Sequence, residues 1–207
     1  METMEEIDQW RIERECREQG YSVICGCDEA GAGPLAGPVY AAAVILPPEL
    51  EIPGLTDSKK LSEKKRESLF PVIQAQAVDW SVAWVGAEEI DEIDILNARM
   101  KAMQLAIEGL KVKPDLVLVD GNRDHGSRYA VTAPHITVVK GDLLSASIAA
   151  ASVLAKVSRD RYMLELDRLY PQYQFAKHKG YGTALHYQLL RQYGPSPVHR
   201  RTFLKKL

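Results

Sequence analysis

Apolar positions along this chain gather into short continuous runs, and five of them read as β-strands. The first, Ser22-Val-Ile-Cys-Gly-Cys27, leads into Asp28-Glu29 and a segment rich in Gly and Pro, after which residues 39–45 are apolar up to Pro47-Pro48. Glycine and proline punctuate turns, so these are two strands joined by a tight connection. Residues 80–85 form a third strand, and residues 116–119 and 136–139 are unbroken apolar runs of the kind found in strands covered on both faces. Helical spacing appears between them. Leu61-Ser62 opens a charged helix with Ser62 placed to cap it, and residues 88–110 have the length and period of one long amphipathic helix. Residues 147–156, rich in alanine, predict a helix packed closely on the sheet, and further helices are expected near residues 162–169 and 184–193. Residues 3–19 carry Ile7, Trp10 and Ile12 among charges and stop at Gly20, which predicts a short surface helix.

Three strands linked by short turns, then two separated by helices, give an α/β layered domain with a mixed sheet. The expected division is a peripheral helix over residues 1–20 and a catalytic-sized domain over 21–207, ending in a helical extension from about 161 to 207. A chain of 207 residues, 46% hydrophobic and 26% charged, has the composition of a folded domain and excludes a disordered tail. Its formal net charge of −2 argues against a uniformly basic nucleic-acid coat protein. The distribution changes that picture. Residues 1–20 hold seven acids against three bases, whereas residues 176–207 hold seven bases and no acid. Cys16, Cys25 and Cys27 are an odd count without a paired framework, and Cys25 and Cys27 read as small buried residues on one strand face. The acidic N-terminus lacks the apolar stretch of a signal peptide, and no run reaches the roughly 18 apolar residues of a membrane span. A soluble cytoplasmic protein is expected.

Carboxylates close three of the apolar strands: Asp28 and Glu29 after the first, Asp120 after residues 116–119, and Asp142 after residues 136–139. If these strands lie side by side, four acids converge, and their repulsion calls for hard divalent cations that prefer carboxylate oxygen. Two such ions about 4 Å apart suit phosphodiester hydrolysis. Each acid also has a plainer reading. Adjacent strand residues face opposite ways, so Asp28 and Glu29 share a site only if the strand is turning there. Asp120-Gly121 is a common turn dipeptide, Asp142 is placed to cap a helix, and Asp124 and His125 compete with Asp120 as ligands from a polar loop. A rival chemistry exists in Gly31-Ala-Gly-Pro-Leu-Ala36, which fits a dinucleotide-binding turn with Glu51 near the ribose distance, but that pattern needs a helix where a strand is predicted.

Asp28-Glu-Ala-Gly-Ala-Gly-Pro-Leu-Ala-Gly-Pro-Val39, Asp57-Ser-Lys-Lys-Leu-Ser62, Val119-Asp-Gly121, Lys140-Gly-Asp142, Ala149-Ala-Ala-Ser-Val-Leu-Ala-Lys-Val157 and His178-Lys-Gly-Tyr-Gly-Thr183 together resemble bacterial type 2 ribonuclease H, ribonuclease HII. The resemblance implies an RNase H-like fold with a five-stranded mixed sheet flanked by helices. It implies endonucleolytic cleavage of RNA in RNA–DNA hybrids and incision 5′ of a ribonucleotide in duplex DNA, leaving 5′-phosphate and 3′-hydroxyl ends. Asp28, Glu29, Asp120 and Asp142 would be the catalytic acids, holding two Mg²⁺ or Mn²⁺ ions. The family reads the ribose 2′-hydroxyl through the backbone of a Gly-Arg-Gly loop, here Gly31-Ala32-Gly33, and packs a tyrosine, here Tyr181, on the sugar. Ala32 departs from that pattern. Lys59, Lys60, Lys177, Lys179, Arg200 and Arg201 are candidates for phosphate contacts, and His178, His186 and His199 are read as structural or phosphate-contacting rather than as metal ligands. A monomer is expected, with a replication clamp as a candidate partner. A catalytically impaired nucleic-acid binding module of the same fold is the alternative.

Overall fold

A computed structural model describes residues 7–205, so part of the N-terminal helix expected over residues 3–19 lies outside the described residues. Five strands, β1 (Ile24–Ala30), β2 (Val39–Ile45), β3 (Asp79–Val85), β4 (Leu116–Asp120) and β5 (His135–Val138), form one sheet in the order β3-β2-β1-β4-β5. The β3-β2-β1 half is antiparallel and the β1-β4-β5 half is parallel, which is the mixed sheet expected from short turns followed by helical crossovers.

Helices cover both faces. On one lie α2 (Glu63–Gln76) and α6 (Ala146–Leu169), whose alanines pack with Ala42 and Val44 of β2. On the other, Cys25, Cys27, Ala41 and Ala43 meet α4 (Ile95–Glu108) through Met100 and Met103. Both strand cysteines are therefore buried small residues, and neither is in a disulfide. Ser62 caps α2 as expected, its side chain accepting from Lys65 N–H at 3.2 Å.

The helix expected over residues 88–110 is in fact two, α3 (Ala87–Ile93) and α4, because Asp94 adopts a positive φ of 66° and its carboxylate caps α4 through Asn97 N–H at 3.0 Å. Both pieces bury one stripe against the same sheet face, so the apolar period runs through the break. The two helices expected between residues 147 and 169 merge instead into α6, 24 residues long. The N-terminal helix α1 (Arg11–Glu18) is not peripheral, since Trp10, Glu13 and Cys16 are buried. Glu13 Oε1 accepts from Ser145 Oγ at 2.6 Å and from Ser147 N–H at 3.1 Å, so its carboxylate satisfies donors at the start of α6. After α6 come α7 (Phe175–His178) and α8 (Ala184–Tyr193), packed on Leu35, Ala36, Met163 and Leu166 in a separate apolar cluster.

What sets the closeness of α6 to the sheet is Gly26 in β1. A Cβ built there would lie 2.1 Å from the carbonyl carbon of Ser147 and 2.3 Å from the Ile148 nitrogen. Those are backbone atoms and cannot rotate away. Gly26→Ala should therefore lower unfolding stability by at least about 1–3 kcal/mol, read by urea denaturation; a parent-like midpoint would show that the helix does not press on the strand.

Candidate active site

Strand alternation decides which carboxylates meet. Cys27 lies opposite Val119 in the parallel β1–β4 pair, so one step further Asp28 and Asp120 project from neighbouring strands on the face that carries α6. Asp142 reaches them from the first turn of α5 (Gly141–Leu144), which starts at Lys140 in a left-handed conformation, φ 57°. Its N–H donates to Asp120 Oδ1 at 3.3 Å. One carboxylate oxygen from each of Asp28, Asp120 and Asp142 lies within 4.8 Å of the others. Glu29 follows the pleat to the opposite face, where its Oε1 pairs with Arg99 of α4 at 2.7 Å, although it still lines the same cleft. Its Oε2 is buried without a hydrogen-bond partner.

Crowding and burial raise the proton affinity of an acid. Asp28 is pushed well above the ordinary carboxylate range, first by burial, then by Glu29 and Asp120; the Ser152 hydroxyl and the Glu29 N–H, 2.7 Å from Oδ1, act in the other direction. Asp120 is raised by burial and then by Asp142. Three converging carboxylates, with the proton affinity of Asp28 and Asp120 raised, no sulfur or nitrogen donor among them, and an unpartnered oxygen beside them fit hard divalent cations.

Cations of the chain ring this cluster. Asp57 Oδ1 accepts from Lys59 N–H at 2.8 Å, forming a turn that sends the Lys59 ammonium to Asp142 Oδ2 at 2.9 Å. Burial disfavours that ammonium, yet the hydrogen bond and charge of Asp142 outweigh it and raise the Lys59 pKa. The same turn places Ser58 Oγ 2.6 Å from Ser152 Oγ. Lys156, which the residue pattern did not single out, lines the cleft, donates to Asp160 at 2.6 Å and has its proton affinity lowered by burial. The cleft between these groups and the glycine loop measures about 240 Å³.

Gly31, Ala32, Gly33 and Tyr181 all line that cleft. Gly31 needs its glycine, because φ is +95° and a Cβ would sit 2.0 Å from Arg159 Nε. The loop enters β2 rather than a helix, which removes the dinucleotide-binding reading, and Glu51 lies elsewhere, beside Trp10 and Ile52. Tyr181 is 42% exposed, with its ring over the Arg159 guanidinium (5.7 Å) and Lys156 (6.0 Å). Behind it, two histidines form a relay, with the His178 ring stacked on His186. Ser196 N–H donates to His199 Nδ1 (3.0 Å), His199 Nε2 and His186 Nε2 share a proton contact at 3.0 Å, and His186 Nδ1 reaches Tyr181 O at 2.9 Å. Burial lowers His186 and His199 to about 4 and also lowers His178. All three histidines are buried and therefore structural here.

The remaining candidates separate. Lys60, Lys177 and Arg201 are exposed, while Lys179 Nζ turns back to Ala176 O at 2.8 Å. Asp124 pairs with His125 (2.6 Å) and His135 (2.8 Å), which lowers it to about 2 and keeps it outside the carboxylate cluster. Arg200 is a correction. Expected at phosphate, it is fully buried, and its guanidinium donates to Gly31 O (2.7 Å), Ala32 O (3.0 Å) and Gly37 O (2.9 Å). Nothing in the local sequence separated it from exposed Arg201.

Known proteins resemble this chain along nearly its whole length. Residues 25–206 match the family model described as Ribonuclease HII. A Ribonuclease HII of Idiomarina loihiensis is 57% identical over 181 residues, 87% of this chain and 95% of the relative. One of Caldicellulosiruptor bescii is 50% identical over 207 residues, 100% of this chain and 98% of the relative. Among solved structures, the RNase HII of Archaeoglobus fulgidus, determined in a PCNA complex, superposes with a TM-score of 0.72 at 26% identity, covering 87% of this chain and 94% of that one.

The raised carboxylates make a prediction with a definite sign. A carboxyl that binds its proton more tightly folded than unfolded costs stability as pH rises from the ordinary carboxylate range through its folded value. Asp120→Asn keeps the Oδ1 acceptor for Asp142 N–H and removes one negative charge. In EDTA it should melt a few degrees above the parent at neutral pH, and the gap should close in acid. An Asn variant that melts below the parent at neutral pH would show that the cluster is not under repulsion.

Proposed function

This chain belongs to the ribonuclease HII family, is a metal-dependent endoribonuclease of the RNase H type with the RNase H-like fold, and, we propose, does its chemistry at Asp28, Glu29, Asp120 and Asp142. The observation that carries the residue assignment is the meeting of the three aspartates beside a glycine loop and an exposed tyrosine. The substrates are RNA–DNA hybrids and, on the finer reading, DNA duplexes containing single ribonucleotides, cut on the 5′ side to leave 5′-phosphate and 3′-hydroxyl ends.

Asp28, Asp120 and Asp142 would hold the divalent ions, Mg²⁺ or Mn²⁺, with Glu29 contributing its unpartnered Oε2. Bound there, two such ions supply charge neutralisation at the scissile phosphate and a water of lowered pKa. Everything else is positioning by the chain. Arg99 fixes Glu29 from the far face of the sheet, and Ser152 and the Glu29 N–H fix Asp28. Lys59 holds Asp142 and brings positive charge to the edge where a phosphate would lie.

Ribose is read by the backbone of Gly31-Ala32-Gly33, where the lack of bulk lets the main chain approach the 2′-hydroxyl, the group that distinguishes RNA from DNA. Tyr181 offers its ring to the sugar from a support of two cations. Ala32 supplies the backbone but no cation, so one phosphate contact is missing. Lys59, Lys60 and Lys179 would track the backbone. No helix among the described residues is long and apolar enough to cross a membrane, and the chain is read as acting in the cytoplasm. A replication clamp is proposed as a partner because the archaeal relative was solved with PCNA.

Two measurements test this reading. A duplex with one ribonucleotide should be cut by the parent with Mg²⁺ or Mn²⁺ and not in EDTA. Asp120→Asn should lose more than the about 10–100-fold typical of residues that only support metal ligands. Cleavage without metal would overturn the mechanism. Ala32→Arg should bind the same duplex more tightly, with a salt slope steeper by about 1; an unchanged slope would show that position 32 does not face phosphate.

A further inference from the structure

Arg159 and Arg200 are both fully buried, and among the described residues neither forms an ion pair. A buried guanidinium without a carboxylate is costly, so its hydrogen bonds should reveal what it is kept for. All of them go to main-chain carbonyls. Arg159 donates to Pro38 O (3.0 Å), Ala36 O (3.2 Å) and Lys179 O (3.0 Å), and Arg200 to Gly31 O, Ala32 O and Gly37 O. Arg159 thus grips the far end of the loop, while Arg200 spans it, holding Gly31 and Ala32 at one end and Gly37 at the other. Arg159 also occupies the space beside Gly31 that a side chain would fill.

The geometry of the peptide unit turns this grip into an orientation. No peptide bond is cis among the described residues, and in a trans peptide the C=O and N–H point in opposite directions. Holding Gly31 C=O inward on Arg200 turns the N–H of Ala32 outward, and holding Ala32 C=O inward turns out the N–H of Gly33. Among the described residues, neither N–H donates to a protein acceptor. Both belong to residues that line the cleft with Asp28 and Tyr181.

We propose that Arg200 is a positioning residue for substrate selection: by holding the carbonyls of Gly31 and Ala32 it aims the N–H groups of Ala32 and Gly33 at the 2′-oxygen of a ribonucleotide. This rests on the reading of the glycine loop as the ribose sensor. It also accounts for the tolerance of Ala32, because the atoms that Arg200 orients are main-chain atoms, which every residue type except proline supplies. The main chain of the same segment ties in further: Arg200 N–H donates to Leu35 O at 2.8 Å, Leu35 N–H to Gly180 O at 2.8 Å, and Gly37 N–H to Val198 O at 2.9 Å. Arg200 therefore sits where the loop and the Tyr181 segment are fastened together.

The test compares KM for a single-ribonucleotide duplex with the inhibition constant Ki of the same duplex made entirely of DNA. Arg200→Lys, which reaches fewer carbonyls, and Arg200→Gln, which removes the buried charge and keeps an amide donor, should each reduce Ki/KM at least about 10-fold with Ki nearly unchanged. A merely structural loss would lower kcat through the active fraction and leave Ki/KM as in the parent. Gly33→Pro, which deletes one N–H at a position where an added Cβ meets nothing within 4 Å, separates the two ideas. If Gly33→Pro reduces Ki/KM and the folded Arg200 variants do not, the Arg200 assignment is wrong. If Gly33→Pro and the Arg200 variants all keep the parent ratio, the loop is not the ribose sensor and the proposal falls with it.

Discussion

Like charges held together are the constraint around which this molecule is built. Two parallel strands in phase bring Asp28 and Asp120 to one face at one height, and a short helix adds Asp142. Left alone, these groups would take up protons or push the strand ends apart. The surroundings accept that tension instead of relieving it. The Ser152 hydroxyl, the Glu29 and Asp142 N–H groups and the Lys59 ammonium each satisfy some of the oxygens. The neutral bulk of the chain supplies rigidity, with α6 pressed so closely on β1 that Gly26 leaves no space for a methyl group. A site meant for doubly charged ions has to remain partly unsatisfied by its own protein.

Much of this was readable from residue order. Strand positions follow from apolar runs, and carboxylates at strand ends are visible as soon as the strands are. What escaped was whatever depends on direction in space. Asp28 and Glu29 are neighbours in sequence, yet the pleat sends them to opposite faces, and the Arg99 that receives Glu29 is 70 positions further along the chain. The positive φ of Asp94 splits a helix whose apolar period continues across the break. Glu13 looked like one more surface acid of a charged helix, and only the fold shows it receiving the start of α6. Arg200 and Arg201 are adjacent and chemically identical, one with no exposed surface and the other out in solvent.

The paired buried arginines show a second use of charge in the same small protein. Around the carboxylates, charge is concentrated so that a cation from outside is welcome. Beneath the glycine loop, guanidinium charge faces carbonyl dipoles and aromatic rings rather than carboxylates, and its value lies in shape: a planar fork of donors fixes several peptide planes at once, which a lysine's single ammonium does not do as well. The histidine relay behind Tyr181 does similar work without charge, each ring committed to one tautomer by its neighbours.

The span between Gly31 and Arg200 is 169 positions, and it has a meaning in time as well as in space. A ribosome adding roughly 5–20 residues per second exposes the loop on the order of 10 s or more before the side chain that orders it. Asp28, Asp120 and Asp142 all precede that side chain as well. A growing chain therefore makes its converging carboxylates first and the side chain that anchors the glycine loop last.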